Sequence, residues 1–319
     1  MQREAGEQPT FFDLAVAARA GSNRVLETIN ARVDFGEAER ALEQTYSKLG
    51  RPGHRAALML RVMILQHLYG LSDPQAEEQL RDRLSFQKFV GLTADEAVPD
   101  ETAICRFRER LLACQLQERL LEILNEQLAA AGFLVKRTML VDATLIESSR
   151  QRPARVAAAE GKAPDADASY TRKHGKSYYG YKAHVSTDGE HQLIHRAKAT
   201  SASVYDSHVF TEMVDPATRA VYADKAYDSK ANRHWLKTQR IANGILKKGA
   251  HHIKLTATDL LRNARKSKRR CRIERVFAHF KKWQHYTRVR YLGLAKNQLE
   301  LTLKAVAYNL KRMVTLLAA

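Results

Sequence analysis

The chain has 319 residues, of which 45% are hydrophobic, enough for about two domains with packed cores and too many for a disordered chain. Its formal net charge is +18, unevenly placed: residues 1–134 carry 16 basic and 20 acidic side chains, whereas residues 135–319 carry 37 and 15. Positive charge concentrated on the second half predicts a phosphate-binding surface, and hence a nucleic acid partner.

Other features of the composition narrow the class of protein. No apolar run approaches the ~20 residues that span a bilayer, and the first residues lack the apolar segment of a signal peptide. The three cysteines are widely spaced, which argues against a disulfide framework or a zinc site built on paired cysteines. We therefore expect a cytoplasmic protein with no membrane contact.

Helical patterns account for the first domain, residues 1–134. Three helices are predicted, at 56–69, 75–83 and 101–131. Gly70 ends the first helix, a Ser-Asp-Pro turn precedes the second, and leucines three and four residues apart run along the third. Two roles stay open for this all-helical domain. It either contacts DNA through a patch such as Arg106, Arg108 and Arg110, or it serves assembly.

Strand patterns begin after Gly132 and define a second domain, residues 135–319. Strands are predicted at 138–146, 177–187, 191–199, 219–224 and 241–246, and helices at 206–214, 229–239 and from 256 onward. Asp188-Gly189 is typical of a hairpin turn, and residues 150–169 have the composition of a mobile loop. The order β-β-β-α-β-α-β-α predicts an α+β chain with a ribonuclease H-like catalytic domain, a mixed five-stranded sheet flanked by helices.

Three acids stand out in this layout. Asp142 lies inside the first strand, Asp224 at the tip of the fourth, and Glu274 is the single acid among thirteen Lys/Arg between residues 260 and 299. The first and fourth strands are neighbours in such a sheet, so Asp142 and Asp224 converge where the last helix crosses. Helical spacing puts Arg270 and Lys281 on the face of Glu274. Each acid alone has an ordinary explanation, as a core acid, a cap or a salt-bridge partner.

Several other polar and aromatic residues are best explained by structure alone. Asp206 and Asp228 are predicted to cap helices, and Glu147 to end a strand. Trp235 and Trp283 could stack on bases, but aromatic residues on amphipathic helices more often belong to the core. In the last helix the apolar stripe closes the domain rather than forming a dimer contact; its members are Leu299, Leu303, Val306, Leu310, Met313 and Leu317.

The sequence around the three acids resembles the motifs of DDE transposases. The segments are V-D-A-T at 141–144, Y-A-D-K-A-Y at 222–227 and R-x-x-x-E-x-x-x-x-x-x-K at 270–281. More narrowly, they are similar to the insertion-sequence-5 family of bacterial elements, as are stretches of the first domain and Gly180-Tyr-Lys-Ala-His184. The resemblance runs from about residue 35 to residue 312.

This resemblance implies a transposase that cleaves the ends of an insertion sequence and joins the freed 3′-OH to target DNA. It implies that Asp142, Asp224 and Glu274 bind two divalent ions, Mg²⁺ with Mn²⁺ as a substitute, because hard oxygen ligands suit such ions. Its partners would be double-stranded DNA, the terminal inverted repeats and the target, bound by a homodimer at the nucleoid. The residues assigned to DNA phosphates are Arg270, Lys281, Lys282, Arg288 and Arg290.

Two departures and two alternatives accompany the resemblance. Ser267 stands where the related signature has a tyrosine, which puts the handling of the terminal nucleotides in question. Only 49 residues separate Asp224 from Glu274, so the β-rich insertion of some relatives has no room. Another ribonuclease H-like nuclease, such as a junction resolvase, would use the same acids but cut without joining. A catalytically inactive DNA-binding derivative would keep only the basic surface.

Overall fold

The computed structural model describes residues 23–44, 46, 53–93, 95–150, 164–173, 175–249 and 254–318. The chain divides into two compact units, residues 128–305, and residues 1–127 together with 306–319. The sequence prediction differs, since it places the boundary at 134/135 and the whole C-terminal end in the second domain. Side chains of the C-terminal end contact the helices of the first unit: Asn309 donates a 3.0 Å hydrogen bond to Asn125, and the Lys311 ammonium lies over Tyr69.

Helices build the first unit throughout its described part. They are α1 Arg24–Arg32, α2 Gly36–Glu43, α3 Ala56–Tyr69, α4 Asp73–Asp82, α5 Leu84–Val90, α6 Glu101–Ala113 and α7 Gln117–Ala130. Eleven of the fourteen residues of α3 are buried, as expected for a helix that is apolar on all sides. In the described ranges, none of the helices has both the length and the apolar character needed to cross a bilayer.

The predicted ends of these helices are partly confirmed. Gly70 ends α3 in the left-handed conformation at φ 70°, where glycine avoids the clash of a side chain. Ser72 caps α4 with Gln75 in a capping box. The single predicted helix over residues 101–131 is wrong: it is two helices, α6 and α7, separated by a turn in which Gln115 has φ 52°.

A six-stranded mixed sheet organises the second unit. Its strands are β1 Thr138–Glu147, β2 Ser169–Lys173, β3 Lys176–Asp188, β4 Ile194–Ser201, β5 Ala220–Ala223 and β6 Ala242–Asn243. The order is β2-β3-β1-β5-β6, with β4 also paired to β3. Strand β3 runs antiparallel to β1 and β4, whereas β5 is parallel to β1 and β6 is parallel to β5. This is the ribonuclease H-like topology that the sequence predicts, with β2 as an added strand.

Five helices accompany the sheet in the described ranges: α8 Asp206–Met213, α9 Lys230–Thr238, α10 Ala257–Arg270, α11 Glu274–Trp283 and α12 Leu294–Leu317. The last of these continues into the first unit from residue 306 onward. An apolar core joins β1 and β5 to α8 and α9; its members include Met139, Val141, Phe210, Val221 and Leu236. In α12 the predicted apolar stripe is buried from Leu299 to Met313, while Leu317 is 39% exposed.

Four predictions for this unit need correction or restriction. Residues 151–163 of the predicted mobile loop lie outside the described residues, and β2 follows the loop where no strand was predicted. The strand predicted at 241–246 shrinks to the two residues of β6. The turn between β3 and β4 is longer than a two-residue hairpin turn, since β3 ends at Asp188 and β4 begins at Ile194. The Asp188 side chain holds this turn by accepting hydrogen bonds from the N–H groups of Glu190, His191 and Leu193. A 3₁₀ turn, Cys271–Ile273, divides the basic helix that was predicted to be continuous.

Candidate active site

The parallel pairing of β1 with β5 brings the first two acids together. The last paired residues are Val141 and Ala223, and each is followed by an aspartate, Asp142 and Asp224. Because the two strands are parallel and paired at these residues, Asp142 and Asp224 lie at the same level of the sheet. Both line one cavity. The predicted convergence of these two residues is therefore present in the fold.

Asp142 is held by two hydrogen bonds and is largely buried. Its Oδ1 accepts the N–H of Ala143 at 2.8 Å, and its Oδ2 accepts from Arg270 Nη1 at 2.7 Å, with 19% of the side chain exposed. Burial raises the pKa of Asp142 to about 6, and the charge of Asp224 adds to this, although the hydrogen bond from Ala143 and the charges of Arg270 and Lys173 oppose it. A bound cation would stabilise the ionised form of this carboxylate, which has lost hydration and lies near a second acid.

Asp224 begins a 3₁₀ turn, Lys225–Tyr227, directly after β5. Its Oδ1 accepts the N–H of Lys225 at 2.7 Å, which fixes the carboxylate at the strand end. The prediction placed an acid at the tip of this strand, and the structure puts it one residue beyond the last paired position. Within the part of the chain that the structure describes, Asp224 is thus oriented by the backbone and keeps its second oxygen for another contact.

Glu274 is connected to this pair through Arg270. It is the first residue of α11, and its side chain is 61% exposed. Arg270 Nη2 donates to Glu274 Oε1 at 2.9 Å while Nη1 of the same guanidinium donates to Asp142. The Arg270 side chain is only 15% exposed, so this bridge between two carboxylates is partly screened from solvent.

The donor set suits a hard divalent cation, because all three acids offer carboxylate oxygens. In the ranges that the structure describes, however, no three His, Cys, Asp or Glu side chains form a ready metal-binding group. The guanidinium of Arg270 lies between Asp142 and Glu274, and its single positive charge is shared between the two carboxylates. Arg270 therefore occupies one oxygen of each of two candidate ligands, Asp142 Oδ2 and Glu274 Oε1.

The cavity beside the aspartates contains polar residues to which the sequence assigned no role. Its volume is about 230 Å³, and its charged lining consists of Asp142, Asp206, Asp224, Arg172, Lys173 and Lys182. The prediction that Asp206 caps a helix is wrong, because the N-cap of α8 is Tyr205 and Asp206 accepts from Lys182 Nζ at 2.9 Å. Lys182 belongs to the Gly180–His184 segment, which resembles the transposase family but to which the sequence analysis assigned no function.

The remaining predicted phosphate contacts lie along α11 and the segment after it. Lys281 and Lys282 are exposed, and the Lys282 ammonium lies over the ring of Trp283. Arg288 approaches Glu147 at 3.4 Å, and Arg290 approaches the buried Glu300 at 3.8 Å. The structure thus leaves the two lysines more available than the two arginines.

Both tryptophans and one arginine of the first unit can also be placed. Trp235 packs against the core of the second unit, as predicted, but Trp283 is 58% exposed, so its assignment to a core is wrong. In the first unit, Arg108 is 4% exposed and donates to Asp73 at 2.5 Å. Arg108 therefore belongs to the packing and not to a DNA-binding patch.

Two protein families match the chain over most of its length. Residues 134–310 match the family described as "Transposase DDE domain", and residues 15–110 match the family described as "Transposase domain (DUF772)". Among solved structures, one similar chain is the piggyBac transposase in a cryo-EM structure of its synaptic complex with hairpin DNA. The two chains are 8% identical, the match covers 93% of this chain and 74% of that chain, and the TM-score is 0.44.

Proposed function

The chain belongs to the Transposase DDE domain family and is a DDE-type DNA transposase, and we propose that it mobilises a bacterial insertion sequence of the insertion-sequence-5 family. In this proposal it cleaves the ends of the element and joins the freed 3′-OH ends to target DNA. The observation that carries the proposal is the pair Asp142 and Asp224, which follow paired residues of two parallel strands and line one cavity.

The metal ligands in this proposal are Asp142, Asp224 and Glu274. Two divalent ions, Mg²⁺ or Mn²⁺, would supply Lewis-acid stabilisation of the attacking and leaving oxygens at phosphorus. Two features of the chain fit them: the donors are carboxylate oxygens, and Asp142 is desolvated beside a second acid. Arg270 would release Asp142 and Glu274 and turn its guanidinium to a DNA phosphate.

The protein side chains bind and orient the DNA and form no covalent bond to it. A water oxygen first bonds to phosphorus at the element's end while the bond from phosphorus to the 3′ oxygen breaks, which leaves a 3′-OH. That hydroxyl then attacks a phosphorus of the target DNA in the same way. Lys281 and Lys282 on α11, with Arg288 and Arg290 after it, contribute phosphate contacts that hold the strands during both steps.

The partners in this proposal are the terminal inverted repeats and the target, both double-stranded DNA. A homodimer that bridges two ends would carry out the reaction at the nucleoid, in the cytoplasm. The cationic α10 and α11 face such a partner well, since α10 has no buried residue and six Lys/Arg side chains. Affinity for DNA should fall steeply as salt rises, because phosphate contacts release counterions.

The test is cleavage of a labelled duplex that carries one end of the element, in Mg²⁺ or Mn²⁺. The wild type should nick the end and join it to a target plasmid. Asp142→Ala, Asp224→Ala and Glu274→Ala should bind the duplex and do neither. Asp259→Ala is the matched control, because this acid pairs with Lys247 at the start of α10 and should leave both steps intact.

Three outcomes are informative. Nicking without joining would indicate a ribonuclease H-like nuclease instead of a transposase. Full activity in the three acid variants would remove the proposed ligands. Equal loss of activity in Asp259→Ala would show that removing an acid from the DNA-facing helices is enough to stop the reaction, and the acid variants would then not identify a metal site.

A further inference from the structure

The cavity next to Asp142 and Asp224 has a mixed charge that the metal site alone does not require. Three of its lining residues are cations, Arg172 and Lys173 from β2 and Lys182 from β3. Cations beside a proposed divalent-metal site would repel the metal but would attract an anionic ligand bound in the same cavity. At a site that cuts DNA, the available anion is a phosphodiester.

Lys182 is the least exposed of these cations. Its side chain is 14% exposed, and its ammonium donates to the carbonyl oxygen of Val204 at 2.7 Å and to Asp206 Oδ1 at 2.9 Å. An ammonium has three N–H donors. The two bonds fix its position and leave one donor for a ligand in the cavity that it lines.

A buried hydroxyl near these acids also lacks a partner. Tyr227 is 1% exposed, and its hydroxyl has no hydrogen-bond partner among the described residues. Burial raises the pKa of Tyr227, and the charges of Asp206, Asp142 and Asp224 raise it further, which places the phenol within the influence of the acid cluster. Buried polar groups normally have a partner, so an ordered water is expected at this hydroxyl.

We propose that this cavity is a phosphodiester subsite in which Lys182 contacts a non-bridging oxygen of the DNA strand that is cut. Asp206 is a positioning residue that acts through Lys182, and Arg172 and Lys173 add positive charge at the same place. The inference rests on the proposed DNA cleavage and deepens it, since it assigns a substrate contact to a stretch for which neither the motifs nor the fold had given a role.

The first experiment compares single-turnover nicking rates at saturating protein. Lys182→Met should be slower by about 10- to 100-fold, the usual effect of losing a charge-assisted contact. Lys182→Arg, which keeps the charge, should recover most of the rate, and Asp206→Asn should fall between. Lys198→Met is the matched control, because Lys198 forms the same kind of ion pair with Glu212 of α8 but does not line the cavity.

The second experiment separates a substrate contact from a structural role. Each phosphate near the cleavage site is replaced in turn by an uncharged methylphosphonate. At one linkage the replacement should slow the wild type about as much as Lys182→Met does, and it should slow Lys182→Met little further, because the same contact is already lost. At other linkages the two effects should add.

The outcomes decide the proposal independently of the cleavage chemistry. Wild-type nicking by Lys182→Met, or additive effects at every linkage, would overturn it. A shift of the Mg²⁺ midpoint in Asp206→Asn would also overturn the positioning role, since it would make Asp206 a metal ligand. If the wild type binds the end without nicking, the proposed function fails, and the same methylphosphonate series measured as binding affinity in Ca²⁺ still tests the subsite.

Discussion

The substitution Asp142→Asn should stabilise the metal-free protein while it removes the response to metal. Burial raises the pKa of Asp142 from 3.8 to about 6. A group whose pKa is higher in the folded state stabilises the fold while protonated, and that contribution is lost as pH rises from 3.8 through 6. A difference of about two pKa units at 1.36 kcal/mol each makes this loss about 3 kcal/mol.

Asparagine resembles the protonated acid, so the two proteins should be equally stable near pH 4. Above pH 7 the variant should be more stable by about 3 kcal/mol, or about 6 to 12 °C in Tm for a unit of this size. The assay is thermal unfolding followed by circular dichroism between pH 4 and pH 8, in a chelator. Because the same carboxylate is a proposed ligand, Mg²⁺ at about 100 times its Kd should stabilise the wild type by about 2.7 kcal/mol and the variant by much less.

Two results would refute this reasoning. A stability difference that does not change with pH would mean that Asp142 is not desolvated as the structure indicates. Equal stabilisation of both proteins by Mg²⁺ would mean that the metal binds elsewhere. Asp259→Asn is a suitable control, because this carboxylate is paired with Lys247 and its pKa is lowered rather than raised, so the variant should show neither the gain at high pH nor the loss of metal response.

Three further substitutions test the packing. Gly180→Ala should destabilise the protein by about 3 kcal/mol in urea unfolding, because the added methyl carbon would lie 2.3 Å from a carbonyl oxygen of β1. Glu96→Gln should lower the free energy of unfolding by about 2 kcal/mol at pH 7, because it weakens two 2.8 Å hydrogen bonds from Arg55. Burial opposes ionisation of Glu96, but the pairing with Arg55 outweighs it and lowers the pKa of this carboxyl, so the difference should shrink as pH falls below 4.5. Lys304→Met should cost about 3 kcal/mol, because the buried Glu300 then keeps only its longer contact with Arg290. Adding Glu300→Gln should recover most of this loss, and a double variant no more stable than the single one would contradict the reasoning.

The acids of the site could be predicted because they interrupt strong local patterns. A carboxylate inside a β-branched strand, as at Asp142, needs a specific partner or a function, and the strand order then decides which second acid lies beside it. The parallel pairing of β1 and β5 confirms that inference. The helix boundaries at Gly70 and Ser72 were also predictable, because each is set by hydrogen bonds to residues only a few positions away.

What the sequence could not provide are contacts between residues distant in the chain. Asp206 stands at the start of a helical pattern, where a capping residue is expected. Only its ion pair with Lys182, which is 24 residues away in the sequence, shows that its side chain does something else. The signature assigned Arg270 to DNA, whereas the structure places it between two carboxylates, one of them 128 residues away. The turn at Gln115 escaped prediction because the leucine spacing continues through it without glycine or proline.

The register between β1 and β5 has a consequence for how such a chain can vary. The two aspartates are separated by more than eighty residues of sequence, yet their spacing depends only on the pairing of Val141 with Ala223. Segments between the strands can therefore lengthen or shorten without moving the carboxylates. A single inserted residue within either strand would turn one aspartate to the other face of the sheet. Loop length and the spacing of the two aspartates can thus vary independently in this architecture.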